Sequence, residues 1–594
     1  MKQDKFSLKG TIKNYLPLKE YFVKRRWHLA VGLFSLLLVD LLQLLIPLVI
    51  RKAVDALTYN RATSDTLLKY GMTIMAIAVT IALFRYVWRF FLFGHSRKVE
   101  EALRSRLYRH LQTLSLSFYQ RIKTGDLMAR AINDINAVRM ATGMGIIALT
   151  DGLVLGLTTI GFMLYLNPLL TVISLLPAPI LVYATRILSR RMSTGYERVQ
   201  ATFSDMTEKA REAFAGVRVV KAYGKESWTS EKIKAAGETY VSENMQLAKS
   251  IALFFPAMGI FANLGLAIVI WMGGRLTILG NITTGDFVAF ISYLYLLSWP
   301  LTAMGWVTNL IQRGSASMRR INRILDEVPE ITGPPLPVDK LRIRGDIKIR
   351  GLSMKYPGHT KDAVKGINLD IRMGQTVALV GQVGSGKTTL LHNIPRLFKA
   401  PKGTIFIDGM DVQDIPLKIL RENIGFVTQD TIIFSDTIRN NVVFGRDGIS
   451  DDALEDVLKS VRIYDEVMAL KKGPDTLLGE RGITLSGGQR QRLTIARAIL
   501  SDPPILILDD ALSMVDTRTE ADILNRILEF RKQKTNLIVS HRVSTISRAE
   551  LICVLKSGEL VETGDHKTLL SKGNEYARLY ERQLLEQELE SEAV

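Results

Sequence analysis

The sequence predicts an α-helical six-span transmembrane domain fused to an α/β domain built around a phosphate-binding loop. Three observations predict it. Six apolar runs, each near the ~20 residues that a spanning helix needs, fall within the first 311 positions. A buried-strand pattern, Val377–Val380, runs into the glycine-rich stretch Gly381–Thr389. A third stretch, Leu485–Asp516, sets a small-residue loop, a basic helix, the helix-stopping pair Pro503–Pro504 and a short apolar strand ending on Asp509 and Asp510 in succession.

Length and composition agree with this division. At 594 residues the chain is too long for one domain. It is 47% hydrophobic with a net charge of +19. Such charge suits a nucleic-acid binder or a membrane protein with basic cytoplasmic loops. The concentration of apolar residues toward the N-terminal side favours the membrane, so no nucleic-acid partner is expected. Cys553 is the single cysteine, which rules out an internal disulfide, and its apolar surroundings, Leu551–Leu555, mark it as a core residue. Residues 1–26 are polar and basic, and the first apolar run is too long for a cleavable signal.

Taken in order, residues 1–26 form an N-terminal interfacial elbow, with an amphipathic helix at 11–26 carrying Pro17 in its first turn. The transmembrane domain covers 27–311, with spans at Trp27–Ile50, Tyr70–Phe93, Gly145–Leu166, Pro168–Leu188, Ser250–Met272 and Phe287–Ile311. Loops 94–144 and 189–249 are long and rich in Lys and Arg, which places them and both termini in the cytoplasm. Each is helical in pattern, with a break, at Ser117–Asp126 and at Ala222–Glu226, that suits a short docking helix. Within the spans, Asp40 is the best candidate to line a polar pathway, with a structural partner as the alternative. Arg85, Arg89 and Asp151 sit nearer the cytoplasmic ends, where snorkelling or pairing accounts for them. A linker, 312–343, holds the proline-rich Gly333–Pro337, a soluble α/β domain covers 344–585, and 586–594 form a tail. Short strands are expected at Ile347–Ile349, Thr376–Val380 and Gly403–Asp408, and helices around 417–422, 451–460, 487–500 and 518–531.

The strand–loop–helix context makes Gly381, Gln382, Val383, Gly384, Ser385, Gly386, Lys387, Thr388 and Thr389 a P-loop, and hence the domain a nucleotide-binding one. Its glycines free backbone N–H groups to wrap phosphate, Lys387 reaches the β/γ oxygens of ATP, and the Thr388 hydroxyl suits Mg²⁺. Asp509 would hold that Mg²⁺ through water, and Asp510 stands where a carboxylate could orient an attacking water.

With these residues in hand, the chain resembles an ATP-binding-cassette (ABC) exporter half-transporter over nearly its whole length. The most specific element is Leu485, Ser486, Gly487, Gly488 and Gln489, which match the ABC signature. The resemblance implies that Tyr356 stacks on adenine, that Gln429 is the Q-loop glutamine which binds Mg²⁺, that Asp516 belongs to the D-loop, and that His541 is the switch histidine at the γ-phosphate. Gly479–Gly482 resembles the loop that touches the long intracellular helices. It further implies an obligatory dimer in which each ATP lies between one P-loop and the other subunit's signature. The breaks near Phe118 and Tyr223 would act as coupling helices beside the Q-loop. The expected activity is ATP-driven export of amphipathic small molecules, drugs or lipids, from a multi-pass protein of the plasma (bacterial inner) membrane with its nucleotide domain in the cytoplasm. A regulatory or channel-type subunit is the alternative. Six spans argue against a soluble ATPase of DNA repair or translation, and import is disfavoured because importers usually split permease and ATPase between chains.

One position departs from the family. Most members carry Glu after the strand-end Asp, where this chain has Asp510. The loss of one methylene draws the carboxylate back by ~1.5 Å. A positioned acid–base group contributes ~10²–10⁴-fold, so slow hydrolysis at this site is expected. Such sites are familiar from heterodimeric exporters, which makes a second half-transporter the favoured partner over a second copy of this chain.

Overall fold

The computed structural model describes residues 8–334, 341–356, 358–479, 482, 485–540 and 542–592. By its contacts the chain divides into two units, Met1–Gln112 with Gly125–Glu327, and Thr113–Thr124 with Val328–Val594.

The first unit is helical. Among the described residues three helices are long and apolar enough to cross a membrane: Arg26–Thr58, Ser64–Thr113 and Thr124–Leu166. The remaining apolar runs also lie on helices. The fourth is divided at Leu176 into Pro168–Leu175 and Pro177–Ala215, because Pro177 lacks the N–H that would continue the ladder. The fifth lies on Glu226–Ile268 and the wide turn Val269–Gly273, and the sixth on Thr284–Leu325. Along Ser64–Thr113, Leu68, Met72, Met75, Val79, Leu83, Tyr86 and Phe90 recur at helical spacing, each more than 60% exposed. In water such a stripe would forfeit roughly 25 cal/mol per Å²; against lipid tails it loses nothing.

Two expectations need correction. The segment 11–26 is not one helix: Pro17 interrupts it, giving Leu8–Tyr15, a tight turn Leu16–Leu18, and Lys19–Lys24. A proline at that point has no N–H to donate and crowds the carbonyl four residues back. The stretch 312–325 is not linker but the end of helix Thr284–Leu325, and the first short helix packs on it. There Asn14 Nδ2 donates to Ser315 Oγ at 2.9 Å, and Asn322 Nδ2 donates to the Asn14 carbonyl at 2.9 Å. For Asp40 the structure shows both carboxylate oxygens buried with no hydrogen-bond partner among the described residues. Asp40 is fully buried, beside Asp151 and within electrostatic reach of Arg85, while Trp299 Nε1 donates to Asp151 Oδ2 at 2.7 Å.

The second unit holds two sheets. Strands β1 (Ile347–Met354), β2 (Val364–Ile371), β4 (Ile405–Ile407) and β5 (Met410–Asp411) form an antiparallel sheet in the order β2-β1-β4-β5. Strands β3 (Thr376–Val380), β6 (Ile424–Val427), β7 (Ile505–Asp509), β8 (Thr535–Val539), β9 (Leu551–Lys556) and β10 (Glu559–Gly564) form the other, in the order β10-β9-β3-β8-β7-β6. All its pairings are parallel except that of β10. Every residue of β3, β7 and β8 is buried. Strands covered on both faces read as apolar runs, not alternations. Register aligns Leu379 with Val539 and Val539 with Asp509. The P-loop, the Asp509–Asp510 pair and the start of the switch loop therefore leave the sheet side by side, at the carboxyl edge where α/β sheets bind ligands. Cys553 is buried in β9, which pushes its thiol up to about 12.

The two loop breaks differ. The first forms the short helix Leu116–Arg121, and Leu116 packs on the core of the second unit. Ser115 and Ser117 donate through Oγ to Glu330 at 3.1 and 2.5 Å, holding that carboxyl below its usual range. The second forms Val217–Ala222, and the neighbouring Phe214, Val219 and Tyr223 are exposed.

Candidate active site

The P-loop has the backbone that phosphate needs, and its glycines are required by space. Gly381 and Gly386 have φ of 151° and 101°. A Cβ on Gly381 would lie 2.3 Å from the Leu555 carbonyl, and one on Gly386 would lie 2.5 Å from that of Ala363. Gly384, also at positive φ, faces open space, and Gln382 and Val383 are exposed beside it. Gly386 precedes the helix Lys387–Asn393. Lys387 is only 8% exposed and donates through Nζ to the carbonyls of Gly381 at 2.6 Å and Gln382 at 2.9 Å. Burial lowers its pKa, while Asp509 and Asp510 pull it back up. To reach a β- or γ-phosphate the ammonium need only exchange two carbonyl oxygens for phosphate oxygens. Tyr356, after β1, bonds to Thr389 through its hydroxyl (2.9 Å) and meets Phe398 edge-on, a placement beside the P-loop helix.

Facing the loop are the carboxylates at the end of β7. Asp509 is buried and hydrogen-bonded to Thr388; burial raises its pKa, with the Thr388 bond lowering it, Asp510 raising it and Lys387 lowering it. Its Oδ2 and the Ser385 Oγ are buried without a hydrogen-bond partner among the described residues. Orphaned oxygens of this kind beside a buried ammonium fit a hydrated divalent cation and phosphate. No group of three or more His, Cys, Asp or Glu suited to hold a metal occurs among the described residues. Asp510 adopts φ +51°, a left-handed conformation that Asp tolerates better than most residues. It is fastened there by its own N–H to the Val539 carbonyl (3.1 Å) and by Ser513 Oγ to its carbonyl (3.2 Å). Gln429 stands on an exposed bend beyond β6, and no hydrogen bond ties it to Thr388 or Asp509 among the described residues. His541, Glu480 and Arg481 lie outside the described residues.

The signature forms the start of helix Gly487–Ile499. Ser486 Oγ accepts from Gln489 N–H at 3.2 Å, while Gln489 Oε1 accepts from Ser486 N–H at 2.8 Å. This reciprocal capping satisfies two donors that a helix start leaves free. Gly487 and Gly488 are small because the D-loop lies on them: a Cβ on Gly487 would be 2.7 Å from Met514 Sδ, and one on Gly488 would be 3.1 Å from the Met514 carbonyl. Asp516 accepts from Thr519 N–H at 2.9 Å and caps the helix Thr517–Phe530, and that bond lowers its pKa.

Two residues escaped sequence reasoning. Gln491, fully buried, donates to Ser513 Oγ at 3.0 Å and accepts from Met514 N–H at 2.8 Å, joining signature helix to D-loop. Glu520, also buried, accepts from Thr545 Oγ1 at 2.8 Å and pairs with Arg542, joining the helix after the D-loop to the switch loop. Burial raises the Glu520 pKa, with Thr545 and Arg542 opposing. Glu520, Arg542 and Asp510 line a cavity of about 200 Å³. A buried polar residue on the apolar side of an amphipathic helix was the available signal for Gln491 and Glu520.

Comparison with known proteins agrees with this geometry. The model of the ABC transporter transmembrane region matches residues 29–301, and the ABC transporter model matches 364–513. The chain is 35% identical to the probable multidrug resistance ABC transporter ATP-binding/permease protein YheI of Bacillus subtilis (strain 168), covering 95% of this chain and 97% of that one. It is 36% identical to the ATP-dependent lipid A-core flippase of Syntrophus aciditrophicus (strain SB), over 84% of this chain and 82% of that one. Among solved structures, a bacterial Atm1-family ABC exporter with ATP bound superposes with a TM-score of 0.77 at 28% identity, covering 94% of this chain and 98% of that chain.

Proposed function

Because this chain belongs to the ABC transporter family, we propose that it works as one half of a dimer that uses ATP to export amphipathic small molecules, drugs or lipids from the cytoplasm across the plasma membrane. The observation that carries the reading is the Thr388–Asp509 pair facing Lys387 at the sheet edge, on a chain whose other unit exposes a lipid-type stripe. The six apolar runs are taken as six spans, within a transmembrane domain of 27–311 ahead of a nucleotide domain of 344–585.

In this reading Lys387 holds the β- and γ-phosphates, the P-loop amides wrap them, and Tyr356 stacks on adenine. Thr388, Gln429 and Asp509 would hold Mg²⁺, which when bound supplies charge neutralisation at the phosphate oxygens. Asp510 orients water and His541 contacts the γ-phosphate. Ser486, Gly487, Gly488, Gln489 and Asp516 serve the ATP of the second subunit's P-loop or the joint beside it. ATP drives closure because it binds the closed pair more tightly than ADP does. The exposed break at Tyr223, in contrast with the seated break at Leu116, supports a second subunit that covers it. Asp510 with an intact signature favours a heterodimer whose other chain carries Glu. It also favours a second reading, an ATP-gated regulatory subunit with little pumping of its own.

Co-purification from the native membrane followed by reconstitution tests both. We expect a second half-transporter with Glu after its strand-end Asp, and substrate movement that stops with Lys387→Ala. A homogeneous self-dimer with brisk turnover would overturn the heterodimer, and ATP-gated conductance without net movement would overturn the exporter.

A further inference from the structure

Within the first unit a cavity of about 660 Å³ opens between helices Arg26–Thr58, Ser64–Thr113 and Thr284–Leu325. Its volume falls within the ~300–1,000 Å³ of small-molecule sites. Ile46, Ile50, Ile81 and Leu296 give it an apolar wall. Arg85 is its one charged lining residue, with the Gln43 carboxamide among the few other polar groups. The acidic side chains nearby do not share the lining. Asp40 is sealed off, and Asp151 takes the Trp299 N–H. Asp40 lies within electrostatic reach of Arg85 but outside the lining, so within the cavity itself the Arg85 guanidinium meets no carboxylate. Its planar fork of donors matches a phosphate or carboxylate better than any other group.

We propose that this cavity binds an amphipath with an anionic phosphate or carboxylate head at Arg85 and an alkyl tail along the isoleucine wall. The proposal rests on the export reading only for what happens to the ligand afterwards; binding itself needs no ATP.

The test uses the full-chain transporter in phosphatidylcholine nanodiscs without nucleotide, titrated with three probes of equal tail: dodecyl phosphate, dodecyl glucoside and dodecyltrimethylammonium. Dodecyl phosphate should bind at least tenfold tighter than the glucoside, ~1.4 kcal/mol. Arg85→Ala should erase that preference without weakening the glucoside, Arg85→Lys should retain it, and Ala82→Trp, which fills the cavity, should weaken all three probes. Phosphatidic acid in the nanodisc displaces the probe if the natural ligand is a bilayer lipid, and leaves it bound if the ligand is a free amphipath. Tightest binding by the ammonium probe, an unchanged preference in Arg85→Ala, or unaltered binding in Ala82→Trp would overturn the site. Binding needs no ATP, so an unmutated chain that keeps the anion preference but moves no probe when ATP is supplied sinks the export reading and leaves the site standing.

Discussion

Asp510 holds a left-handed backbone conformation, a region that penalises most side chains by ~1–2 kcal/mol and that Asp relieves by its short polar side chain. Asp510→Glu is therefore expected to raise ATP turnover at this P-loop by about tenfold or more, while lowering stability by ~0.5–1 kcal/mol; single-turnover kinetics and thermal melts read the two effects, and unchanged turnover would move the defect elsewhere. Asp509 shows the opposite balance. Its pKa is raised in the folded chain, so the fold favours the protonated form. That contribution is present below the unfolded value near 3.8 and is lost as pH rises through the folded one. At neutral pH the carboxylate is a liability until Mg–ATP arrives. Asp509→Asn should then melt higher than the parent without nucleotide, by roughly 2–4 °C, with the gain vanishing toward pH 4 and hydrolysis abolished. The chemistry of these two positions was legible in the sequence because it follows from neighbours along the chain, a strand end and a glycine loop. The backbone angle that makes Asp comfortable at 510 was not, since it is imposed by β8 across the sheet.

At the scale of elements, the signature helix and the D-loop meet so closely that glycine is obligatory. Gly487→Ala places a methyl against Met514 Sδ, and we expect severalfold slower ATP turnover by the partner-side nucleotide with P-loop binding unchanged. Pairing it with Met514→Ala should restore much of the loss, since the obstruction is a flexible side chain; a double variant no better than the single would refute steric contact as the cause. The sequence announced the helices at 417–422 and 451–460 and the strand at 505–509 through local periodicity and punctuation. It did not announce the Gln491 or Glu520 joints. Those link segments more than 20 positions apart, and polar residues on a helix read as solvent-facing until the neighbour is known. The elbow departs from expectation for a local reason: helix already precedes Pro17, so the proline falls inside the segment and not in a first turn.

At the scale of the molecule, assembly should be visible at the second break. Tyr223→Cys adds an exposed thiol to a chain whose own Cys553 is buried and pushed up to about 12, so labelling reports one site. Maleimide should react quickly with dissociated chains and severalfold more slowly in the assembled dimer; equal rates would leave that surface uncovered by any partner. The first break has a different consequence, one of timing. Ser115 and Ser117 meet Glu330 across 215 and 213 positions, so a segment made early in synthesis waits, with its apolar Leu116, for a seat that does not yet exist. The nucleotide unit in turn matures around a piece of chain that left the ribosome long before it. Such long-range closure slows folding and prolongs exposure of apolar surface. Residues 328–594 expressed alone should accordingly aggregate more than the whole chain, and a synthetic peptide spanning Thr113–Thr124 should raise their melting temperature in a saturable way. A peptide with Leu116→Asp should do nothing. The short helix would then be as much a folding partner as a connector.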